Sequence, residues 1–168
     1  MNSQKDPTAA FRDLIGSPTK LRLFMLAKLP MAYLAGLRVT SLTQEQATVS
    51  IKYQYLNKNP FGSIYFACLS MAAELSTGVL CMMNTYQSDP AVSMLVVHME
   101  ADFTKKAAGT VAFTCEDGKP FQEAVAQTKA TGEGVTVTVS SIGLDEKGEQ
   151  VAIFRFIWSL KAKNKPLA

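Results

Sequence analysis

Apolar residues recur along the chain with two different periods, and the switches between them mark the elements. Phe11, Leu14 and Ile15 are spaced for one helical face. Ser17-Pro18 then reads as an N-cap followed by a proline at the first position of a second helix, which Leu21, Phe24, Met25 and Lys28 continue to Pro30. A short strand over 37–40 and a turn at Thr43-Gln44-Glu45 follow. Ala47, Val49, Ile51, Tyr53 and Tyr55 alternate with Thr48, Ser50, Lys52 and Gln54, the period of two that marks a half-buried strand. Residues 57–63 form a loop by composition, and one long apolar helix over 64–83 comes next, ended by Asn84 and Ser88-Asp89-Pro90.

Strand pattern dominates the remainder. Leu95, Val97, Met99, Ala101 and Phe103 alternate with Val96, His98, Glu100 and Asp102, and Val111, Phe113 and Cys115 alternate with Thr110, Ala112, Thr114 and Glu116. Asp117-Gly118 reads as a turn, and 121–129 as a short helix with Phe121, Ala124 and Val125 on one face. Val135, Val137 and Val139 alternate with Thr136, Thr138 and Ser140; a polar hairpin turn occupies 144–149. The last strand places Ala152, Phe154, Phe156, Trp158 and Leu160 on one face. Runs of adjacent strands predict an antiparallel sheet, and a helix apolar almost all round must be covered on most sides. The expected fold is α+β: a curved antiparallel sheet wrapped around one long central helix. Residues 1–168 are read as one domain, with 1–32 as an N-terminal helical segment.

Composition narrows the function classes. The chain has 168 residues, 48% of them hydrophobic and 18% charged, against roughly 25% charged in an average soluble domain. That excludes a disordered chain and suits a protein that hides a face in an oligomer. Seventeen Lys and Arg against fourteen Asp and Glu leave a net charge of +3, and the only adjacent basic pair is Lys105-Lys106, so no nucleic-acid partner is expected. Cys68, Cys81 and Cys115 are an odd number set among apolar neighbours, which argues against a disulfide framework and for a reducing cytoplasm. The N-terminus lacks the apolar core of a secretory signal. The 64–83 segment is long enough to span a bilayer. Glu74 would sit near the midplane, however, at a cost of about 2.5–3.5 kcal/mol, and no Lys/Arg cluster flanks it. A buried core helix is expected, not a membrane span. With no C-x-x-C and no glycine-rich phosphate loop, neither a metal nor a cofactor is expected.

Glu74 is the most informative residue. Fifteen uncharged residues precede it (59–73) and fourteen follow it (75–88). On a helix its face holds Ala67, Ser70, Met71, Thr77, Gly78 and Cys81, with Phe66, Leu69, Ala73 and Leu80 on the opposite side. A carboxylate there is costly unless paired or hydrated. Two roles fit: a hydrogen bond to a backbone amide or a nearby Ser or Thr, or a general base or nucleophile whose pKa burial raises toward neutrality. The helix start offers a second part, since the unpaired amides of Tyr65, Phe66 and Ala67 can stabilise an oxyanion. Two turns separate Ala67 from Glu74, about 10 Å. Asn59 fits either a turn residue before proline or a holder of water or a substrate oxygen. His98, without a nucleophile-elbow motif, reads as a solvated or interface histidine.

The stretch NPFGSIYFACLSMAAE, from Asn59 to Glu74, resembles the signature of hotdog-fold acyl-CoA thioesterases of the phenylacetyl-CoA thioesterase type. That signature has Asn, then Gly, then His-Gly-Gly, then an acidic residue seven positions after the second Gly. Asn59, Gly62 and Glu74 fall in register without a gap, and Tyr65-Phe66-Ala67 stands where the family has His-Gly-Gly. DFTKKAAG, from Asp102 to Gly109, is similar to the family's "phenylalanine, leucine, arginine, proline, alanine … glycine" strand end, and strand order agrees from about Tyr33 to Lys163. The resemblance implies a hotdog fold, a homodimer or tetramer with composite sites, and hydrolysis of an acyl-CoA thioester. It implies Glu74 as base or nucleophile, Asn59 orienting water or the carbonyl, the Ala67 amide as oxyanion contact, and Gly62 in the same site loop. Lys105 and Lys106 fit either the phosphates of coenzyme A or an ordinary solvated pair. The alternative is a non-catalytic module that binds acyl-CoA or acyl chains, which Tyr65-Phe66-Ala67 favours.

Overall fold

Proline opens both of the first helices. The computed structural model describes Phe11 and residues 17–163; the expected helix at 11–15 lies outside the described residues apart from Phe11. Helix α1 spans Pro18–Lys28 and α2 spans Pro30–Leu34. A proline has a fixed φ and no N–H to leave unpaired, which suits the first helical position. Ser17 stands at the N-cap, but its hydroxyl makes no capping bond.

The chain continues through β1 (Arg38–Leu42), β2 (Ala47–Lys52), a 3-10 turn (Tyr55–Asn57), the long helix α3 (Phe66–Thr85), β3 (Val92–Phe103) and β4 (Thr110–Cys115). Helix α4 (Gly118–Thr131) and strands β5 (Val135–Asp145) and β6 (Gln150–Ala162) complete it. The strands form one antiparallel sheet in the order β1-β2-β4-β5-β6-β3, so β1 and β3 are its edges. Helix α3 packs closely over β2, β4 and β5 and touches β3 and β6 only sparsely. It is long and apolar enough to cross a membrane, yet most of it is buried in this fold. The core between helix and sheet holds Val49, Ile51, Val111, Phe113, Phe154 and Leu160, all fully buried.

Four local features depart from the sequence pattern, each for a visible reason. Strand β2 stops at Lys52 instead of running to Tyr55. Buried Asn57 gathers the chain into the turn: its Nδ2 donates to the Lys52 and Ala35 carbonyls (2.8 and 3.0 Å), and its Oδ1 accepts the Gln54 amide at 2.9 Å. Asp117-Gly118 opens α4 instead of making a turn; the Asp117 carboxylate accepts the Ser140 amide at 2.7 Å. Gly118 is required there, because a Cβ would lie 2.1 Å from the Gln44 carbonyl oxygen. Helix α3 begins at Phe66, two residues later than its composition predicts, after Tyr65 turns its amide onto the Asn57 carbonyl (2.7 Å).

The fourth is a bulge in β3 between Val96 and His98, which breaks the single alternation read from the sequence. Directly opposed residues share a face. Met94 and Val96 oppose Leu160 and Trp158, and beyond the bulge Met99, Ala101 and Phe103 oppose Phe156, Phe154 and Ala152. The helix-facing set is therefore Met94, Val96, Met99, Ala101 and Phe103, and Leu95 turns to the other side with His98 and Glu100.

Candidate functional site

Because α3 lies over the β2–β5 half of the sheet, the β6–β3 half is left partly uncovered. An open groove of about 730 Å³ runs there, with Phe66, Ala67, Ser70, Met71 and Glu74 of α3, Met94, Val96 and Met99 of β3, and Phe156 and Trp158 of β6 among its walls. Glu74 is the one charged residue in that lining.

Glu74 is half-buried, and desolvation raises its pKa above the ordinary carboxylate value. Among the described residues its carboxylate has no hydrogen-bond or ion-pair partner. The neighbouring hydroxyls are spent elsewhere: Ser70 donates to the Phe66 carbonyl (3.0 Å), and Thr77 donates to the Glu74 carbonyl (2.9 Å) while accepting Trp158 Nε1 (3.1 Å). The structural role open to Glu74 from sequence, a bond to a nearby Ser or Thr, is therefore not how the side chain is held. Its carboxyl lies over Gly78 beside the Trp158 ring. A Cβ on Gly78 would stand 3.3 Å from Glu74 Oε1 and 3.7 Å from Trp158, so glycine makes the room.

At the helix start, the Tyr65 amide is occupied by Asn57, and Cys68 and Leu69 donate back to the Tyr65 carbonyl at 2.9 and 3.3 Å. The Phe66 and Ala67 amides are left without acceptors among the described residues. Two of the three expected free amides are thus present, and Ala67 lines the groove. Phe66 does not take the opposite side; Phe66, Ser70 and Glu74 are spaced four apart and form one ridge. The Phe66 ring packs 6.2 Å from Phe103 and 4.9 Å from Tyr65.

Asn59 does not line the groove. Its Oδ1 accepts the Phe61 and Ser63 amides (3.0 and 3.2 Å), and its Nδ2 donates to Ser63 Oγ (2.9 Å). Gly62 closes the same loop at φ +70°, where glycine is favoured, and donates to the Asn59 carbonyl at 3.2 Å. Asn59 and Gly62 build the loop that leads into α3. Lys105 is ion-paired with Asp145 (2.5 Å) and Glu149, and these bonds raise its pKa and hold Asp145 down at about 2. Lys106 is exposed, with no ion-pair partner among the described residues, and its Nζ lies nearest the position of a Gly62 Cβ, at 3.9 Å. His98 is exposed on the outward face of β3. All three cysteines are free and buried, and burial pushes the Cys81 and Cys115 thiols up to about 12. Among the described residues no three His, Cys, Asp or Glu side chains are placed to share a metal ion.

The groove walls Met94, Val96, Phe156 and Trp158 were not legible as site residues. Phe156 and Trp158 carry the same alternation as core positions, and the bulge hides Met94 and Val96. The single tryptophan, on the helix-facing side of the last strand, was the available signal.

Residues 19–160 match the family model described as Domain of unknown function (DUF4442). No curated protein sequence matches the chain. Solved structures do. A probable thioesterase of unknown function from Pseudomonas aeruginosa is 21% identical with a TM-score of 0.74, covering 88% of this chain and 97% of its own. A thioesterase from Haemophilus influenzae is 8% identical with a TM-score of 0.62, covering 87% and 92%. The PaaI protein of the Escherichia coli phenylacetic acid degradation operon is 15% identical with a TM-score of 0.61, covering 90% and 96%. The sheet around its central helix is the hotdog fold of these structures, and by its family match the chain belongs to DUF4442.

Proposed function

We propose that this protein hydrolyses the thioester of an acyl-coenzyme A, with Glu74 as general base. The observation that carries the reading is an unpartnered, half-buried carboxylate of raised pKa in an apolar groove, on the same helix ridge as the free amides of its first turn. The structural neighbours named as thioesterases support it. In this scheme the acyl chain lies against Met99, Phe156 and Trp158, and the thioester carbonyl points at the Phe66 and Ala67 amides. The roughly 10 Å along the helix leaves room for a water between carbonyl and carboxylate, which suits a base better than a nucleophile. Glu74 takes a proton from that water as it attacks the carbonyl carbon. The amides hold the resulting oxyanion. On collapse the carbon–sulfur bond breaks and the proton passes from Glu74 to the departing thiolate.

Asn59 and Gly62 shape the loop that fixes the start of α3, so their role is positioning. Lys106 is the cation free to meet the phosphates of coenzyme A. Edge strand β3 carries exposed Leu95 (64%) and Val97 (52%), which supports pairing with a second copy and a homodimer that closes the groove. The buried free thiols suit a reducing cytoplasm. One observation favours the alternative of a non-catalytic acyl-CoA binder: a large side chain, Phe66, lines the groove at the helix start, its ring packed against Tyr65 and Phe103. Thiol release from a panel of acyl-CoAs, from acetyl to palmitoyl and including phenylacetyl, separates the two. The hydrolase reading expects turnover on at least one; binding without turnover on all of them contradicts it. Light scattering of a stable monomer would contradict the dimer.

A further inference from the structure

The chain's positive charge is not spread over the molecule. Between residues 17 and 44 there are four cations, Lys20, Arg22, Lys28 and Arg38, and no acid; the remainder has thirteen cations against fourteen acids. All four side chains are exposed, and none has an acidic partner among the described residues. The same segment exposes large apolar side chains. Leu23 is 68% exposed, Leu26 51%, Met31 65% and Leu34 48%, although α1 already buries Leu21 and Met25 on its inner side. Leu23 and Leu26 lie three residues apart, so they share the outward stripe of α1. Three of these eight residues, Arg22 of α1, Leu34 of α2 and Arg38 of β1, also line one groove of about 690 Å³ beside the β1 edge.

We propose that this face docks on an anionic lipid bilayer. A water-exposed protein surface can tolerate scattered leucines, but four large apolar groups interleaved with four unpaired cations fit an interface that is apolar in its interior and negative at its rim. Helices lying in such an interface carry Leu against the acyl region and Lys or Arg toward the headgroups. A nucleic-acid surface would leave the leucines without a use, and a second copy would bring four cations against four like charges. The face belongs to the β1 edge, while the Glu74 groove belongs to the β3 edge at the other end of the sheet order. Docking therefore leaves the groove open, and changes on the face test it separately from the chemistry.

The test is co-sedimentation of the full-length protein with vesicles of phosphatidylcholine alone or of phosphatidylcholine with phosphatidylglycerol. The protein should pellet with the anionic vesicles and stay in solution with the neutral ones, and salt well above physiological strength should release it. Replacing Lys20, Arg22 and Lys28 by Gln should weaken partitioning about a hundredfold, at about fivefold per cation. Leu23→Ser with Leu26→Ser should weaken it at least tenfold. Both variants should keep the parent melting temperature, because only exposed side chains change. Lys20→Arg with Lys28→Arg should bind as the parent does. Equal binding to both vesicle types, no binding to either, or anionic binding unchanged by the Gln variant would overturn the proposal. If the parent ignores vesicles and Leu23→Ser/Leu26→Ser lowers its mass in light scattering, the face is a self-association surface and the proposal is wrong.

Discussion

Ser76 and Glu74 sit two residues apart on α3 and face different halves of the sheet. Ser76 lies over the covered half and is fully buried; its hydroxyl donates to the Ala73 carbonyl at 2.7 Å and meets Ser141 Oγ of β5 at 2.8 Å. With its proton on Ala73, Ser76 accepts from Ser141, so both hydroxyls are satisfied. Glu74 faces the uncovered half and has no such partner among the described residues. The contrast shows where this fold accepts an unpaired polar group. Among the described residues no buried side-chain nitrogen or oxygen lacks a hydrogen bond, so burial is matched by pairing everywhere the helix is covered. An acid with a raised pKa is tolerated only at the groove, where water still reaches it.

The sharpest way to break this comparison is to put the acid on the wrong side. Ser76→Glu should cost on the order of 3–5 kcal/mol, as an unpaired charge in the core does, a large part of the roughly 5–15 kcal/mol that holds an ordinary domain folded. If Ser76→Glu melts like the parent, the two halves do not differ as described. Next in size, Ser76→Ala should cost about 1–3 kcal/mol, because it strands the Ser141 hydroxyl, and Ser141→Ala should cost less, because Ser76 keeps its bond to the Ala73 carbonyl. The double variant should cost less than the two singles together, and strictly additive denaturation midpoints would show that the pair is not coupled. The smallest effect is a tilt with pH. Glu74 titrates higher in the folded protein than in the unfolded chain, so above the ordinary carboxylate range the native state holds more protons. Stability should fall as pH rises through the raised value, and Glu74→Gln should remove that slope. Chemical denaturation of both proteins between pH 4 and 8 checks it, and parallel curves would contradict the raised pKa.

Much of this fold was legible because its elements announce themselves locally. Alternation in 135–140 and 151–160 and the uniform apolarity of 64–83 do not depend on distant residues, and the sheet and central helix follow from them. What stayed hidden is long-range. The β3 bulge is a matter of pairing with β6, and no pattern within β3 marks Val97 as the extra residue. Asn57 looks like any loop asparagine until the Ala35 carbonyl, 22 positions away, is brought to it. Glu74 was visible in sequence because a lone charge in an apolar run has few ordinary explanations. Asn59 was visible too, but its amide is consumed within the loop, which spacing cannot reveal. Lys105 and Lys106 are adjacent in sequence and opposite in circumstance, one held by two acids and one free, because Asp145 and Glu149 arrive from another hairpin.

The account rests on Glu74 acting as the base, and the most direct measurement is acyl-CoA turnover with melting temperature on the same two samples, the parent and Glu74→Gln. Glutamine keeps the shape and removes proton acceptance. Turnover should fall about 10²–10⁴-fold, the usual contribution of a positioned acid or base, while the melting temperature at neutral pH holds or rises. Glu74→Gln hydrolysing acyl-CoA as fast as the parent would contradict the account, as would a loss of activity that only tracks a loss of folded protein.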